Sequence, residues 1–433
     1  MSPRILHPSI SKCLLAHLEK ICKIYCFHSA LFILQNILVM LSFLSADDFH
    51  GRIQRTQAAL ASAGIDVAIL SSFGDARYLT GLDGLPEVRP VFTVLIQTGK
   101  VAFVAPAIEA PIIRNKVAES VAEVAIEWGE WEKPGMARTF VEALVRHVEA
   151  VAPHAKTIGL DYSLAGKDLN ILRNAFRSKI IEDVSPVTLA VRAIKDDALV
   201  AIVRLGAIVA EAKFKGIRDM TNPGVPEWEA ALAGYNAAVT TAATILEGDE
   251  DHSPLFSGLI VMGSGSDRSA NAHSVASCRI MQDGEHVQIC CCTPPLLGHG
   301  MCFDRPVKIG DKDLPHGVRN IIRVAREAQE AALAAIRPGV TVGFVHDAAM
   351  EVIRRHGYEV GMQHGTGRAI CCADTAIPRI MAGVEMVIHV GDLFGVEPGV
   401  YKEHVGGARF GDTIRVTETG YEAITDLSLG RTM

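Results

Sequence analysis

Two histidines and two carboxylates stand in loop-like segments of the C-terminal half, marked by glycine or proline in three of the four cases. They are His273 in NAHS (271–274), Asp304 in CFDRP (302–306), His364 in QHGTGR (363–368) and Glu397 in VEPG (396–399). Hydrolysing the C–N bond of an amidine or guanidinium needs a base to activate water and an acid to protonate the leaving nitrogen. Imidazole does both near neutral pH. His273 lies in a Ser/Ala/Asn-rich loop just ahead of a strand-like run, a usual place for a reactive group. Asp304 and Glu397 would hold a cationic carbon group and stabilise its charge as it reacts. Gly365 and Gly367 let the backbone beside His364 approach a ligand closely. The plain alternatives are a capped loop histidine, a solvated turn carboxylate and a salt-bridged Asp-Arg-Pro turn.

Cysteine is the other reactive type, and it is unevenly placed. Cys13, Cys22 and Cys26 lie near the start, and none follows until Cys278; then come Cys290, Cys291, Cys292, Cys302, Cys371 and Cys372. A secreted disulfide framework would be spread through a small domain, and adjacent cysteines cannot easily bridge each other. Reduced thiols in a cytoplasmic protein fit better. VQICCC (287–292) begins with strand-like alternation, so a buried apolar role is one reading. A cysteine nucleophile paired with His273 or His364 is another.

These residues need elements to position them. Residues 48–63 repeat apolar side chains at helical spacing, VAIL (67–70) reads as a strand, and RYLTGLDG (77–84) carries two turn signals. VFTVLI (91–96) and VAFVAP (101–106) read as paired strands around Gly99, followed by a helix at 138–152 and a strand near 158–160. A long helix is expected over 190–216. Beyond it, NPGVPEWEAAL (222–232) and RPGVTVGFVHDAA (337–349) each place Pro-Gly-Val between two helical patterns. Two units offset by roughly 115 residues predict a duplicated fold with the site between its halves.

The 433 residues, 49% hydrophobic and 21% charged, predict two well-packed domains. A net charge of −7 without a long basic run argues against nucleic acid and membrane surfaces as partners. The apolar stretch 31–44 is interrupted by Gln35 and Asn36, too short for a membrane span. Residues 1–46 are expected to be an extension outside the mature fold, upstream of a start near Met40, with a signal anchor as the alternative.

Five segments in order carry a family resemblance: NAHSVASCRIMQDGEHVQICCC (271–292), MCFDRPVKIGD (301–311), MQHGTGR (362–368), FGVEPGVY (394–401) and GGARFGDTIRVTETGYEAIT (406–425). Together with YLTG (78–81), they resemble the creatinase and Xaa-Pro peptidase family of pita-bread hydrolases. The resemblance implies an α/β (α+β) protein. A creatinase/prolidase-like N-terminal domain would span 47–185, and a linker helix with a duplicated pita-bread catalytic domain would span 186–433. It also implies a homodimer and a small-molecule substrate.

Peptidases of the family hold two metal ions with two Asp, one His and two Glu. By resemblance these positions fall here on Cys290 (or Cys291), Cys302, His364, Glu397 and Gly411, so two of five ligands survive. Hard divalent ions prefer carboxylate oxygens, and no binuclear centre or other cofactor is expected. The alternative is one Zn or Fe ion on Cys290, Cys302, His364 and Glu397. The metal-free creatinase pattern is nearer. Its catalytic His matches His273, the carboxylate facing its cationic substrate matches Asp304, and its Arg-Pro segment from the neighbouring protomer matches Glu87-Val88-Arg89-Pro90. Arg89 would anchor a substrate carboxylate by bidentate pairing. A second active-site His falls on Cys371, and a second carboxylate-binding Arg falls near Thr375, with Arg368 and Arg379 as substitutes. The expected activity is C–N bond hydrolysis in a small carboxylate-bearing substrate, a guanidino acid or cyclic amidine, with His273 as general acid/base. Catalytic residues would be His273, Asp304, Glu397 and His364, and substrate-binding residues Arg89, Cys371 and Arg368. An altered-metal Xaa-Pro peptidase and an inactive binding module are the alternatives.

Overall fold

The computed structural model describes residues 45–431 apart from short breaks at 86–88, 130, 132–134, 163, 248, 251, 257–259, 293–295 and 373–377. The expected extension (1–46), apart from its last two residues, Glu87-Val88 and Thr375 lie outside the described residues. No described helix is long and apolar enough to cross a membrane.

The N-terminal unit is built around one six-stranded sheet. In chain order come α1 (Ala46–Ser62), β1 (Val67–Leu70), α2 (Phe73–Thr80), β2 (Phe92–Ile96), β3 (Val101–Pro106), α3 (Ala110–Lys116), β4 (Ala122–Trp128), α4 (Phe140–Val151), β5 (Thr157–Leu160), α5 (Gly166–Ala175) and β6 (Ile180–Asp183). The sheet order is β4-β3-β2-β1-β5-β6. β1 is buried along its whole length because it has a strand on either side and helices over both faces. The turn expected at 77–84 is the end of α2, stopped by Gly81 at φ +76°.

The helix expected over 190–216 is two: α6 (Ser185–Ala193) and α7 (Asp197–Met220). Asp196 breaks it. Its carboxylate caps α7 by accepting from Leu199 N–H at 3.0 Å, and accepts from Nε and Nη2 of the buried Arg52, each at 2.7 Å. That pairing fastens α1 to the start of the second unit.

The second unit continues with α8 (Glu227–Ile245), β7 (Val261–Ser264), α9 (Gly265–Ser269), β8 (His286–Cys290), β9 (Asp304–Lys308), α10 (His316–Ala335) and α11 (Val342–Arg355). Then follow β10 (Gly367–Ala369), β11 (Arg379–Ile380), β12 (Leu393–Val396), β13 (Gly399–Lys402), β14 (Gly406–Arg409), β15 (Asp412–Val416) and β16 (Tyr421–Ala423). The repeat is visible in the backbone. Gly224 and Gly339, the glycines of the two Pro-Gly-Val segments, hold φ +88° and +87°, each inside a helical hairpin, α7–α8 and α10–α11. The hairpins pack on antiparallel sheets β7-β8-β9 and β11-β10-β12-β15-β16. A backbone pair, Asp304 with Gly411, joins the two sheets through reciprocal 3.1 Å hydrogen bonds.

Candidate active site

That pair is the centre of the site. Cys290 stands opposite Asp304 in the β8–β9 ladder, and Asp304 opposite Gly411, so positions 290, 304 and 411 form one cross-strand row. Residues directly opposite share a face, and residues two apart on a strand share it too. Cys302 therefore projects from the same side as Asp304, and its sulfur lies 3.4 Å from Asp304 Oδ2. A Cβ added at Gly411 would collide with Asp304 Oδ2 and lie 2.9 Å from Cys302 Sγ. The Asp304 carboxylate thus fills the room that a side chain at 411 would need.

Around this row the chain gathers three charged groups beside Asp304. Glu397, just past β12, has its backbone N–H fixed on Thr366 O at 2.7 Å. Arg368, on β10, donates from Nη1 to Glu397 Oε1. Arg409, at the end of β14, donates from Nη2 to Asp304 Oδ1 at 3.2 Å, while its Nε stays 4.0 Å from Glu397 Oε2, beyond hydrogen-bond reach. Burial pushes the Asp304 and Glu397 carboxyls up, and the two guanidiniums oppose that shift. With both carboxylates ionised, two positive groups balance two negative ones.

Cys292 completes the cluster. The chain leaves the ladder after Cys290, and the Cys292 sulfur comes 3.4 Å from both Asp304 oxygens and 3.7 Å from Glu397 Oε2. Hydrogen bonds from Cys290 and Cys302, with Arg368 and Arg409 beyond, hold its thiol well below the ordinary range. Ligand atoms of Cys292, Cys302, Asp304 and Glu397 lie within 4.8 Å of one another. This differs from the set expected from sequence, because Cys292 and Asp304 replace Cys290 and His364.

Two hard divalent ions do not fit here. Gly411 supplies no ligand, and both carboxylates already carry a guanidinium. One soft ion has four donors, but the Cys302 thiol, which burial pushes up, would have to ionise to offset its charge.

His364 is engaged elsewhere. Its Nδ1–H donates to Gly365 O at 2.8 Å, which leaves Nε2 to accept the Tyr401 hydroxyl at 2.8 Å. Burial, then the nearby Arg409, pulls its pKa down to about 4. Tyr401 is buried and shifted well upward for the same first reason. The pair is a neutral imidazole and a neutral phenol sharing one proton.

This neutrality has a measurable cost in acid. From pH 6.5, the usual value, down to about 4, the unfolded chain binds a proton at His364 that the native protein refuses. Stability is therefore full above that window and lost as pH falls through it, by up to ~1.4 kcal/mol per unit. His364→Gln is expected to flatten the slope of unfolding free energy against pH in urea melts. An unchanged slope would show that His364 titrates alike in both states.

His273 is exposed on the rim. Its loop is pinned to the His364 segment by Gln363, whose Oε1 accepts Ala272 N–H at 3.0 Å and whose Nε2 donates to Ala270 O at 2.7 Å. The positive charge of His273, when protonated, contributes to the downward shift at His364. An open groove of about 690 Å³ runs past Asn271, Gln363 and Tyr401.

The structure thus brings His273, His364, Asp304, Glu397 and Arg368 to one region, with Arg368 already paired to Glu397. Cys371 faces away, its sulfur 3.6 Å from Cys372 Sγ and 4.0 Å from Arg192 O at the seam between the units. Arg89 is half-buried just ahead of β2. Tyr401, Arg409 and Cys292 were not singled out individually from sequence. Strand alternation offered a signal for Arg409, two residues before Gly411.

Comparison with known proteins agrees with this architecture. Residues 201–418 match the model of metallopeptidase family M24, and 52–194 match the creatinase/prolidase N-terminal domain. Agropine synthesis cyclase of Rhizobium rhizogenes is 44% identical over 391 residues, 89% of this chain and 98% of its own length. Probable dipeptidase PepE of Mycobacterium tuberculosis is 26% identical over 88% of this chain and 95% of its own. The prolidase of Pyrococcus horikoshii superposes with TM-score 0.72 at 20% identity, covering 87% of this chain and 98% of that one. The order of elements, the duplicated helical hairpins and the landmark segments place both units in one lineage of C–N bond hydrolases. This chain belongs to metallopeptidase family M24 and carries a creatinase/prolidase N-terminal domain ahead of its pita-bread domain.

Proposed function

We propose that this enzyme makes or breaks one bond of a small, polar, carboxylate-bearing substrate without a binuclear metal centre. One observation carries the reading. Asp304 occupies the space of the missing side chain at 411, and Arg368 and Arg409 sit on the two remaining carboxylates. Fixed guanidiniums in a buried site stabilise charge that develops on a reacting carbon or oxygen. His273 on the rim moves protons to and from water or a leaving group, and His364, neutral and hydrogen-bonded to Tyr401, fixes that hydroxyl beside the site. Arg89 is the proposed anchor from a second protomer in a homodimer.

Ring closure is a second form of the same reading, favoured by the 44% identity to agropine synthesis cyclase along nearly its full length. Hydrolytic opening and condensation of a ring are one reaction run in two directions, so the same groups serve both. Purified protein dialysed against chelator is expected to keep full turnover of agropine or a guanidino acid, read by mass spectrometry as gain or loss of one water. Activity abolished by chelator and restored by zinc, iron or manganese would overturn the metal-free reading.

A further inference from the structure

A second cavity, about 150 Å³, lies at the seam between the two units, away from the cysteine cluster. Arg52, Arg77, Lys116, His252 and His299 line it, with Phe49 on one wall. The acids near these groups are already engaged. Asp83 takes Arg77 Nε and Nη2 at 3.2 and 2.8 Å, Asp196 takes Arg52, and Asp249 takes His252 Nδ1 at 2.8 Å. Lys116 Nζ is held by the Asp83 backbone carbonyl at 3.1 Å rather than by a carboxylate. Arg77 and Lys116 therefore bring two positive charges to the wall against one nearby acid, and both keep spare N–H donors.

His299 adds a different demand. It is 6% exposed, and its Nδ1–H donates to Leu297 O at 2.8 Å, which leaves the Nε2 lone pair as an acceptor. Burial, then Arg77 and Arg52, pulls its pKa down to about 3, so it stays neutral. The turn that carries it is tightly specified. Leu297 holds φ +48°, an uncommon conformation for a residue with a side chain, and Gly298 holds φ +64°. A Cβ at Gly298 would collide with the Arg77 guanidinium, which lies across the turn.

We propose that this seam cavity binds a small anion that also carries a hydroxyl hydrogen, such as hydrogen phosphate or a short hydroxy-dicarboxylate. Its charge meets Arg77 and Lys116 and its O–H donates to His299 Nε2. The site is linked to the cysteine cluster by the chain itself. Cys302 is three residues past His299, Gly300 N–H donates to Cys371 O at 3.0 Å, and Arg77 Nη1 donates to Cys372 O at 2.6 Å. A bound anion would brace the turn that leads into Cys302.

The test uses the full chain at constant ionic strength set with sodium chloride. Calorimetric titration with phosphate and with malate identifies the source of the anion, and succinate, which lacks the hydroxyl, is the comparison. Saturable binding of phosphate or malate, roughly tenfold weaker in Lys116→Ala and weaker for succinate than malate, is expected. Hydrogen exchange of the 296–303 stretch should slow on saturation in the parent protein and respond only at higher anion concentration in Lys116→Ala. Lys116 sits at a helix end, so its loss leaves the fold intact, and an unchanged melting curve without anion checks this. No binding at millimolar anion, or binding indifferent to Lys116, would overturn the site; binding without slower exchange would overturn the bracing.

Discussion

His273→Ala is expected to lower kcat by ~10²–10⁴-fold, the usual worth of a positioned acid or base. The side chain is exposed on the rim, so its removal should change stability by no more than ~0.5 kcal/mol. The loss would then be chemical rather than structural. Urea melts of the parent and the variant should superimpose while turnover of the chelator-treated enzyme collapses. Added imidazole should restore part of the rate, because the groove beside Asn271 and Gln363 is open. Gln363→Ala releases the clip on Ala270 and Ala272, and should weaken turnover less, by letting His273 wander. Full activity in His273→Ala would remove the proposed proton carrier and the mechanism with it.

The second large effect concerns position 411. Gly411→Glu places a side chain where the fully buried Asp304 carboxylate already lies, and adds a like charge beside it. A loss of about 3–5 kcal/mol in unfolding free energy is expected. Asp304→Ala alone should also destabilise, because buried Arg409 loses its carboxylate. Combined, the two changes exchange one acid for another across a single backbone pair, and Arg409 regains a partner. The double variant should be more stable than the sum of the singles predicts, by about 1–3 kcal/mol. Strict additivity would mean that the two positions do not compete for one space. The same double variant restores the family's last carboxylate, so it is also where metal affinity should first return.

Much of this was legible in the chain before folding was considered. The ordered landmarks identified the family, and the missing carboxylates at 290, 302 and 411 argued against a two-ion centre. Short apolar runs and helices with strong periodicity formed where expected: β1 to β3, α1 and α4 all did. The Arg52–Asp196 pair beside the helix break at 194–196 was not legible, because its two members lie 144 residues apart. Local spacing carries no record of such a partner.

The sequence by itself determined which chemical groups exist and which family frame carries them, because ligand identity and landmark order are written residue by residue. It could not say that Asp304 stands in for the side chain absent at 411, that Arg368 and Arg409 cap the two acids, or that Tyr401 meets His364. Those facts depend on strand pairing across more than a hundred residues, which puts 290, 304 and 411 in one row. Electrostatics acts over ångströms in space, and only the folded chain sets those distances.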